Sequence, residues 1–182
     1  YAECAGVSNE LSSVQDPVEF WVLGYAAGTA LHSISAILEN QPWHVTGVEI
    51  DGELRDLANR WLPLPDELLN HLKLVDGGDA RACLHAAPDS LDFILLDAYT
   101  NQFEIPLHLA TVEFFQEVSS HLRQGGVFAI NLGTSEEIGS TLGFADSVRA
   151  GLCQVFNDQV VVHKVARSRN LVAFARKGKP IP

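Results

Sequence analysis

Four places along the chain carry residues able to hold a small polar ligand, and each follows a short apolar run. Gly24-Tyr25-Ala26-Ala27-Gly28-Thr29 comes first, after Phe20-Trp21-Val22-Leu23. Small residues in such a turn let the backbone pass close to a ligand, and the amino end of the helix that follows offers N–H groups. Glu49 closes the second run, about twenty residues beyond Gly28, where an acidic side chain can accept both hydroxyls of a ribose. The plainer reading of Glu49 is a surface carboxylate beside Asp51. Asp79, in Gly77-Gly78-Asp79-Ala80, follows the third run. It can cap a short helix or accept a hydrogen bond from an adenine amino group, and the two roles can coexist. Asp97 ends the fourth run, in Leu95-Leu96-Asp97-Ala98-Tyr99. A carboxylate there lies at the carboxyl edge of a sheet, where ligands bind in open α/β folds; an N-cap or turn residue is the plainer alternative.

Smaller candidates surround these. Ile50 directly follows Glu49. Tyr25 either lies against a nucleoside or covers the sheet edge, Tyr99 is a candidate to line an acceptor pocket, and His108 either contacts substrate or is a surface or capping histidine. The first turn does not suit a dinucleotide. The third small residue of G-x-G-x-x-G/A falls on Leu31, which would crowd the helix–strand contact. The seven histidines are scattered without metal spacing, so no metal is expected.

The elements that must carry these residues follow from periodicity. Strands are expected at 20–23, 44–50, 72–75, 91–96, 127–132, 159–163 and 170–175. Helices are expected at 29–38, 52–61, 80–85, 107–122 and 136–152. Leu54, Leu57, Ala58 and Trp61 share one face of the second helix, and Gly125-Gly126 stops the fourth. Strand and helix alternate with short turns, which implies an α/β fold with a mostly parallel sheet and helices on both faces. The last two strands are close enough in sequence to form an antiparallel hairpin. The expected organisation is an N-terminal helix or arm over residues 1–19 and one nucleoside-binding domain over residues 20–182.

Composition narrows the classes of partner. The 182 residues carry 23 carboxylates against 12 lysines and arginines, a formal charge of −11. Such a surface repels phosphate backbones, so nucleic acid is not an expected partner, whereas a cationic small molecule is attracted. The acidic balance also serves solubility alone. Cys4, Cys83 and Cys153 cannot all pair, and Cys83 and Cys153 read as buried thiols of a reducing, cytoplasmic compartment. No apolar run approaches the roughly 18 residues of a membrane span, so no membrane partner is expected. The start at Tyr1 and the absence of Met suggest a trimmed domain or a missing natural start.

Taken together, Val22-Leu23-Gly24-Tyr25-Ala26-Ala27-Gly28-Thr29, Val48-Glu49-Ile50-Asp51, Gly78-Asp79-Ala80-Arg81 and Leu96-Asp97-Ala98-Tyr99 resemble the ordered motifs of class I methyltransferase folds. Ile105-Pro106-Leu107-His108-Leu109-Ala110-Thr111-Val112-Glu113-Phe114-Phe115, with Leu122-Arg123-Gln124-Gly125-Gly126-Val127, is similar to the spermidine synthase (polyamine aminopropyltransferase) family. The resemblance covers roughly Val22 to Leu132. It implies a Rossmann-like class I methyltransferase fold, with a mostly parallel seven-stranded sheet and an antiparallel C-terminal hairpin. It implies S-adenosylmethionine, decarboxylated S-adenosylmethionine or methylthioadenosine as ligand, and alkyl transfer from a sulfonium to a small-molecule amine. The turn of Gly24, Tyr25, Ala26 and Gly28 would pass the sulfonium and its tail, Glu49 would bind the ribose, and Asp79 with Ala80 would hold the adenine. Asp97 would orient the amine and accept its proton. Homodimers are frequent in that family.

Two positions depart from the family pattern. Ala27 stands where the synthases carry an aspartate that grips the donor's amino group. Thr100 stands where a second aspartate binds the polyamine. Each missing charged hydrogen bond is worth about 1.5–3 kcal/mol. The departures keep two other readings in play: a non-catalytic nucleoside-binding or assembly module on the same fold, and a small-molecule methyltransferase.

Overall fold

The apolar runs become the strands of one sheet. The computed structural model describes residues 16–38, 41–100, 104–133, 141–168 and 170–178. Strands β1 (Val18–Leu23), β2 (Trp43–Glu49), β3 (Leu72–Asp76), β4 (Leu91–Leu96), β5 (Leu122–Gly133), β6 (Val160–Lys164) and β7 (Asn170–Arg176) lie in the order β3-β2-β1-β4-β5-β7-β6. The first five run parallel, while β7 pairs antiparallel with both β5 and β6. This is the expected α/β topology with its C-terminal hairpin. Strand order reverses between β1 and β4, and a ligand crevice opens beyond the carboxyl ends of strands at such a switch point.

The helices are α1 (Ala30–Ile37), α2 (Leu54–Trp61), α3 (Asp66–Leu69), α4 (Ala80–His85), α5 (Val112–His121) and α6 (Thr141–Phe156), with a 3-10 turn at Leu107–Leu109. Alternate strand residues face opposite sides, so the sheet carries two cores. On one face Leu84, Phe114, Phe115, Val118, Val148 and Leu152 pack against Leu23, Ile94, Leu96, Phe128 and Ile130. On the other, Leu31, Ile34 and Leu68 pack against Val22, Val45, Phe93 and Leu95. Burying each such side chain stabilises the fold by about 1.5–3 kcal/mol. The central strand β4 is buried along its whole length, Asp92 included. That carboxylate pairs with Arg123 and accepts from the Glu19 N–H at 2.9 Å, at the end of the sheet away from the crevice.

Several local expectations change. The helix expected over 107–122 is broken. Thr111 adopts an extended backbone and caps α5 through its hydroxyl, which accepts from the Phe114 N–H at 3.2 Å. Gly125-Gly126 does not stop that helix but lies inside β5, which begins at Leu122. The glycines absorb a register irregularity against Leu91 and Phe93, and Gly125 takes a left-handed φ of +82°. The expected apolar face of α2 is not buried: Leu57 is 52% and Trp61 70% exposed. Periodicity tells which side chains share a face, not whether a neighbour covers it. The short helix α3 was not expected, β1 starts at Val18 rather than Phe20, and α6 runs on to Phe156. The expected arm lies outside the described residues except for 16–19, as do Cys4 and residues 136–140. Cys83 and Cys153 are free and only partly buried. No helix among the described residues is long and apolar enough to cross a membrane.

Candidate functional site

Register brings the candidate residues together. Leu23 pairs with Val48 on one side and Leu96 on the other, and Leu96 pairs with Ile130. The next residues along the four strands are Glu49, Gly24, Asp97 and Asn131, a single row at the carboxyl rim. Gly24 and Asp97 meet at the switch point. The Asp97 N–H donates to the Leu23 carbonyl at 2.8 Å. A Cβ on Gly24, whose φ is +87°, would stand 2.5 Å from the Asp97 carbonyl oxygen. Only glycine fits there.

The turn after Gly24 is held by β2. Both Gly24 N–H and Tyr25 N–H donate to the Val48 carbonyl, at 2.9 and 3.0 Å. Ala26 takes a left-handed φ of +48°, rare for a residue with a Cβ, and its N–H donates to Glu49 Oε2 at 2.8 Å. Glu49 Oε1 accepts from the Asp51 N–H at 3.1 Å. A carboxylate offers roughly four acceptor positions, so two remain for hydroxyl donors. Ile50, next to it, is 68% exposed and presents an apolar surface on the rim.

Tyr25 turns the other way. Its ring is buried in the core beneath the turn, filling space that a Cβ on Gly28 or Gly47 would occupy. The ring therefore packs beneath the turn, while the Tyr25 backbone forms part of it. Its hydroxyl has no hydrogen-bond partner among the described residues, and burial pushes the phenol up to about 12.

Asp79 lies one strand further out. The Gly78 N–H donates to the Glu49 carbonyl at 3.0 Å, which ties the two segments. Asp79 Oδ1 caps α4 by accepting from Arg81 N–H at 3.1 Å and Ala82 N–H at 2.9 Å, and Ala80 opens the helix as a buried residue. Oδ2 meets His108 Nε2 at 3.0 Å. Burial is the largest single influence on this carboxyl and pushes it up. The Ala82, His108 and Arg81 hydrogen bonds, with the charge of His108, outweigh it and hold the group below its usual range. His108 thus stands beside Asp79. Arg81 Nη1 reinforces the contact by donating to the His108 carbonyl at 3.1 Å.

Asp97 is half-buried, and burial raises its carboxyl above the usual range, opposed by a hydrogen bond from Asn131 Nδ2 at 2.8 Å. Tyr99 bends onto β5: its hydroxyl donates to the Asn131 carbonyl at 2.7 Å and accepts from Gly133 N–H at 2.9 Å. Sequence reasoning missed Asn131 and Asn170. Their only sequence signal is polarity: Asn131 interrupts an apolar strand. Among the described residues no cluster of side chains could hold a metal ion. The arrangement offers acceptors for hydroxyl and amino groups on the β2–β3 side, a close backbone turn in the middle, and a carboxyl of raised pKa on the β4–β5 side.

No protein-family model matches the chain. The probable polyamine aminopropyl transferase of Bifidobacterium longum (strain NCC 2705) is 29% identical over 157 residues, which is 86% of this chain and 33% of that protein. The chain therefore spans about a third of that curated relative's length. Among solved structures, a probable spermidine synthase from Corynebacterium glutamicum ATCC 13032 matches with a TM-score of 0.75 at 24% identity, over 96% of this chain and 62% of the other. Human methyltransferase-like protein 13 in complex with SAH matches with a TM-score of 0.72 at 26% identity, over 93% of this chain and 75% of that one. The chain is similar to polyamine aminopropyl transferases, and its fold is the Rossmann-like fold shared by spermidine synthases and methyltransferase-like proteins.

Proposed function

We propose that this chain is a transferase domain that binds the adenosyl portion of S-adenosylmethionine, decarboxylated S-adenosylmethionine or methylthioadenosine, and moves an aminopropyl or methyl group to a small-molecule amine. The observation that carries the reading is the rim row itself, with Glu49 bonded to the left-handed Ala26 N–H at 2.8 Å and Gly24 pressed against Asp97. One adenosyl ligand lying along that row meets hydroxyl acceptors at one end and the raised carboxyl at the other.

In this reading Glu49 uses its remaining acceptor positions for the ribose hydroxyls, Ile50 gives an apolar surface to the base, and Asp79 with Ala80 receives the adenine edge. The turn from Gly24 to Gly28, whose first glycine lets the backbone close onto Asp97, passes the sulfonium and its tail. Asp97 takes the proton that the amine must lose to attack carbon. The amine nitrogen supplies the electron pair of the new carbon–nitrogen bond, the carbon–sulfur bond breaks, and the electron pair of that bond stays on sulfur. Alignment supplies the rest, since the sulfonium needs no activation.

A second reading, methyl transfer, is favoured by Ala27. A carboxylate at that position would repel the methionine carboxylate of the full donor; alanine does not. Calorimetry with the three nucleosides tests both readings. Binding of at least one is expected, and no heat from any of them at millimolar concentration overturns the proposal. Tighter binding of S-adenosylmethionine than of its decarboxylated form selects methyl transfer, and mass spectrometry of reactions with an amine panel checks the product.

A further inference from the structure

Asp97 does not stand alone at the rim. Asn131, one strand over in the same row, is 6% exposed, and its Nδ2 donates to Asp97 Oδ1 at 2.8 Å. Asn131 Oδ1 in turn accepts from Asn170 Nδ2 at 3.0 Å. An ionised carboxylate only accepts, so Asn131 must turn its NH₂ toward Asp97 and its oxygen toward Asn170, which fixes both amides. The backbone of Asn131 is fixed as well, because its carbonyl accepts from Tyr99 Oη at 2.7 Å and Tyr99 Oη accepts from Gly133 N–H at 2.9 Å. Among the described residues no donor meets Asp97 Oδ2. One oxygen is held and the other is open.

The choice of partner matters. A lysine or arginine at this place would hold Asp97 equally well but would strip it of basicity, since a nearby cation strongly favours the carboxylate. A neutral amide orients the group at small cost to its proton affinity. The amide is also buried and tied to β7, so it cannot swing off the carboxylate without losing its own acceptor bond.

We propose that Asn131, held in turn by Asn170 of the C-terminal hairpin, is a positioning residue that sets the rotation of the Asp97 carboxyl and presents Oδ2 to the reacting amine. This rests on the function proposed above for Asp97. It also gives the antiparallel hairpin a part in the site through Asn170, the first residue of β7.

The test uses the whole 182-residue chain. The Asp97 carboxyl is followed by ¹³C NMR titration, with its resonance identified through Asp97→Asn, in wild type, Asn131→Ala and Asn170→Ala. Methylthioadenosine binding is measured on the same samples. Removing a donor from the charged form raises the midpoint, so Asn131→Ala is expected to shift it up by on the order of one pH unit. Asn170→Ala is expected to shift it in the same direction by less. If transfer is measurable, kcat in Asn131→Ala falls roughly ten- to a hundredfold, the size seen when the partner orienting a functional group is lost. The acid limb of its pH profile moves upward with the NMR midpoint, and KM for the donor changes little. An unchanged midpoint in folded Asn131→Ala overturns the inference. Should that variant not fold, an unchanged midpoint in Asn170→Ala does so instead. A wild-type chain that takes up no methylthioadenosine while the shifts persist removes the proposed function and leaves the orientation of Asp97 by Asn131 standing.

Discussion

The two sides of the rim use the same functional group in opposite ways. On the β2–β3 side Asp79 is surrounded by donors, two backbone N–H groups and His108, and its carboxyl is held below the usual range. On the β4–β5 side Asp97 is more deeply buried with one amide donor, and its carboxyl is raised. A group surrounded by donors stays ionised and serves as a fixed acceptor. A group left short of donors in a drier place gains affinity for a proton. Environment thus sets apart two residues of identical chemistry, and the proposed function uses the lowered one for binding and the raised one for proton transfer.

The widest test of that division is Asp97→Asn. It keeps the shape and removes the base, so turnover is expected to fall by about 10²–10⁴-fold. Methylthioadenosine affinity should change little. Steady-state kinetics and calorimetry on the same preparation check both halves, and an equal loss in each breaks the division. Next comes Glu49→Gln. The Ala26 N–H keeps an acceptor, but an NH₂ replaces the second carboxylate oxygen and ribose loses a charged partner. Nucleoside binding is expected to weaken by about 1.5–3 kcal/mol, roughly ten- to a hundredfold, with no change in the acid limb of any pH profile. Calorimetry decides it.

The smallest effect separates the two sides by sign. Asp79, lowered in the fold, contributes stability that is present above its unfolded value near pH 3.9 and lost as pH falls through the folded pKa. Asp97, raised in the fold, does the reverse: its contribution weakens as pH rises from the unfolded value through the folded one. Urea unfolding across acid to neutral pH should show Asp97→Asn gaining on wild type as pH rises through that window. Asp79→Ala should lose ground as pH rises, reaching about 1 kcal/mol, the usual worth of an N-cap. Parallel curves would show that the environments do not differ as described.

Much of this site could be read before any coordinates. Glu49 ends β2, Asp97 directly follows β4 and Asp79 lies in the turn after β3, and in a parallel sheet these places lie at the carboxyl rim. The residues that sequence did not place owe their positions to pairings across the chain. Asn131 meets Asp97 because Leu96 pairs with Ile130, and it meets Asn170 because β5 pairs with β7. Neither register can be read from a single strand. His108 lies far in sequence from Asp79, and nothing local to either predicts the contact. The two readings of Tyr25 stayed open for a similar reason: the space that takes its ring is opened by Gly47 on the neighbouring strand. The exposed face of α2 had the periodicity of a buried one.

That tyrosine has a consequence for how a visitor is received. Glycine-rich bends are commonly slack and must be stiffened when a guest arrives, at an entropic cost. Here an aromatic plate lies under the bend, wedged against Gly28 and Gly47, and gives it a floor. The bend is already shaped before anything docks. For the adenosyl ligand proposed above, entry would then ask for little rearrangement, and a side chain at Gly28 or Gly47 would have to displace the Tyr25 ring.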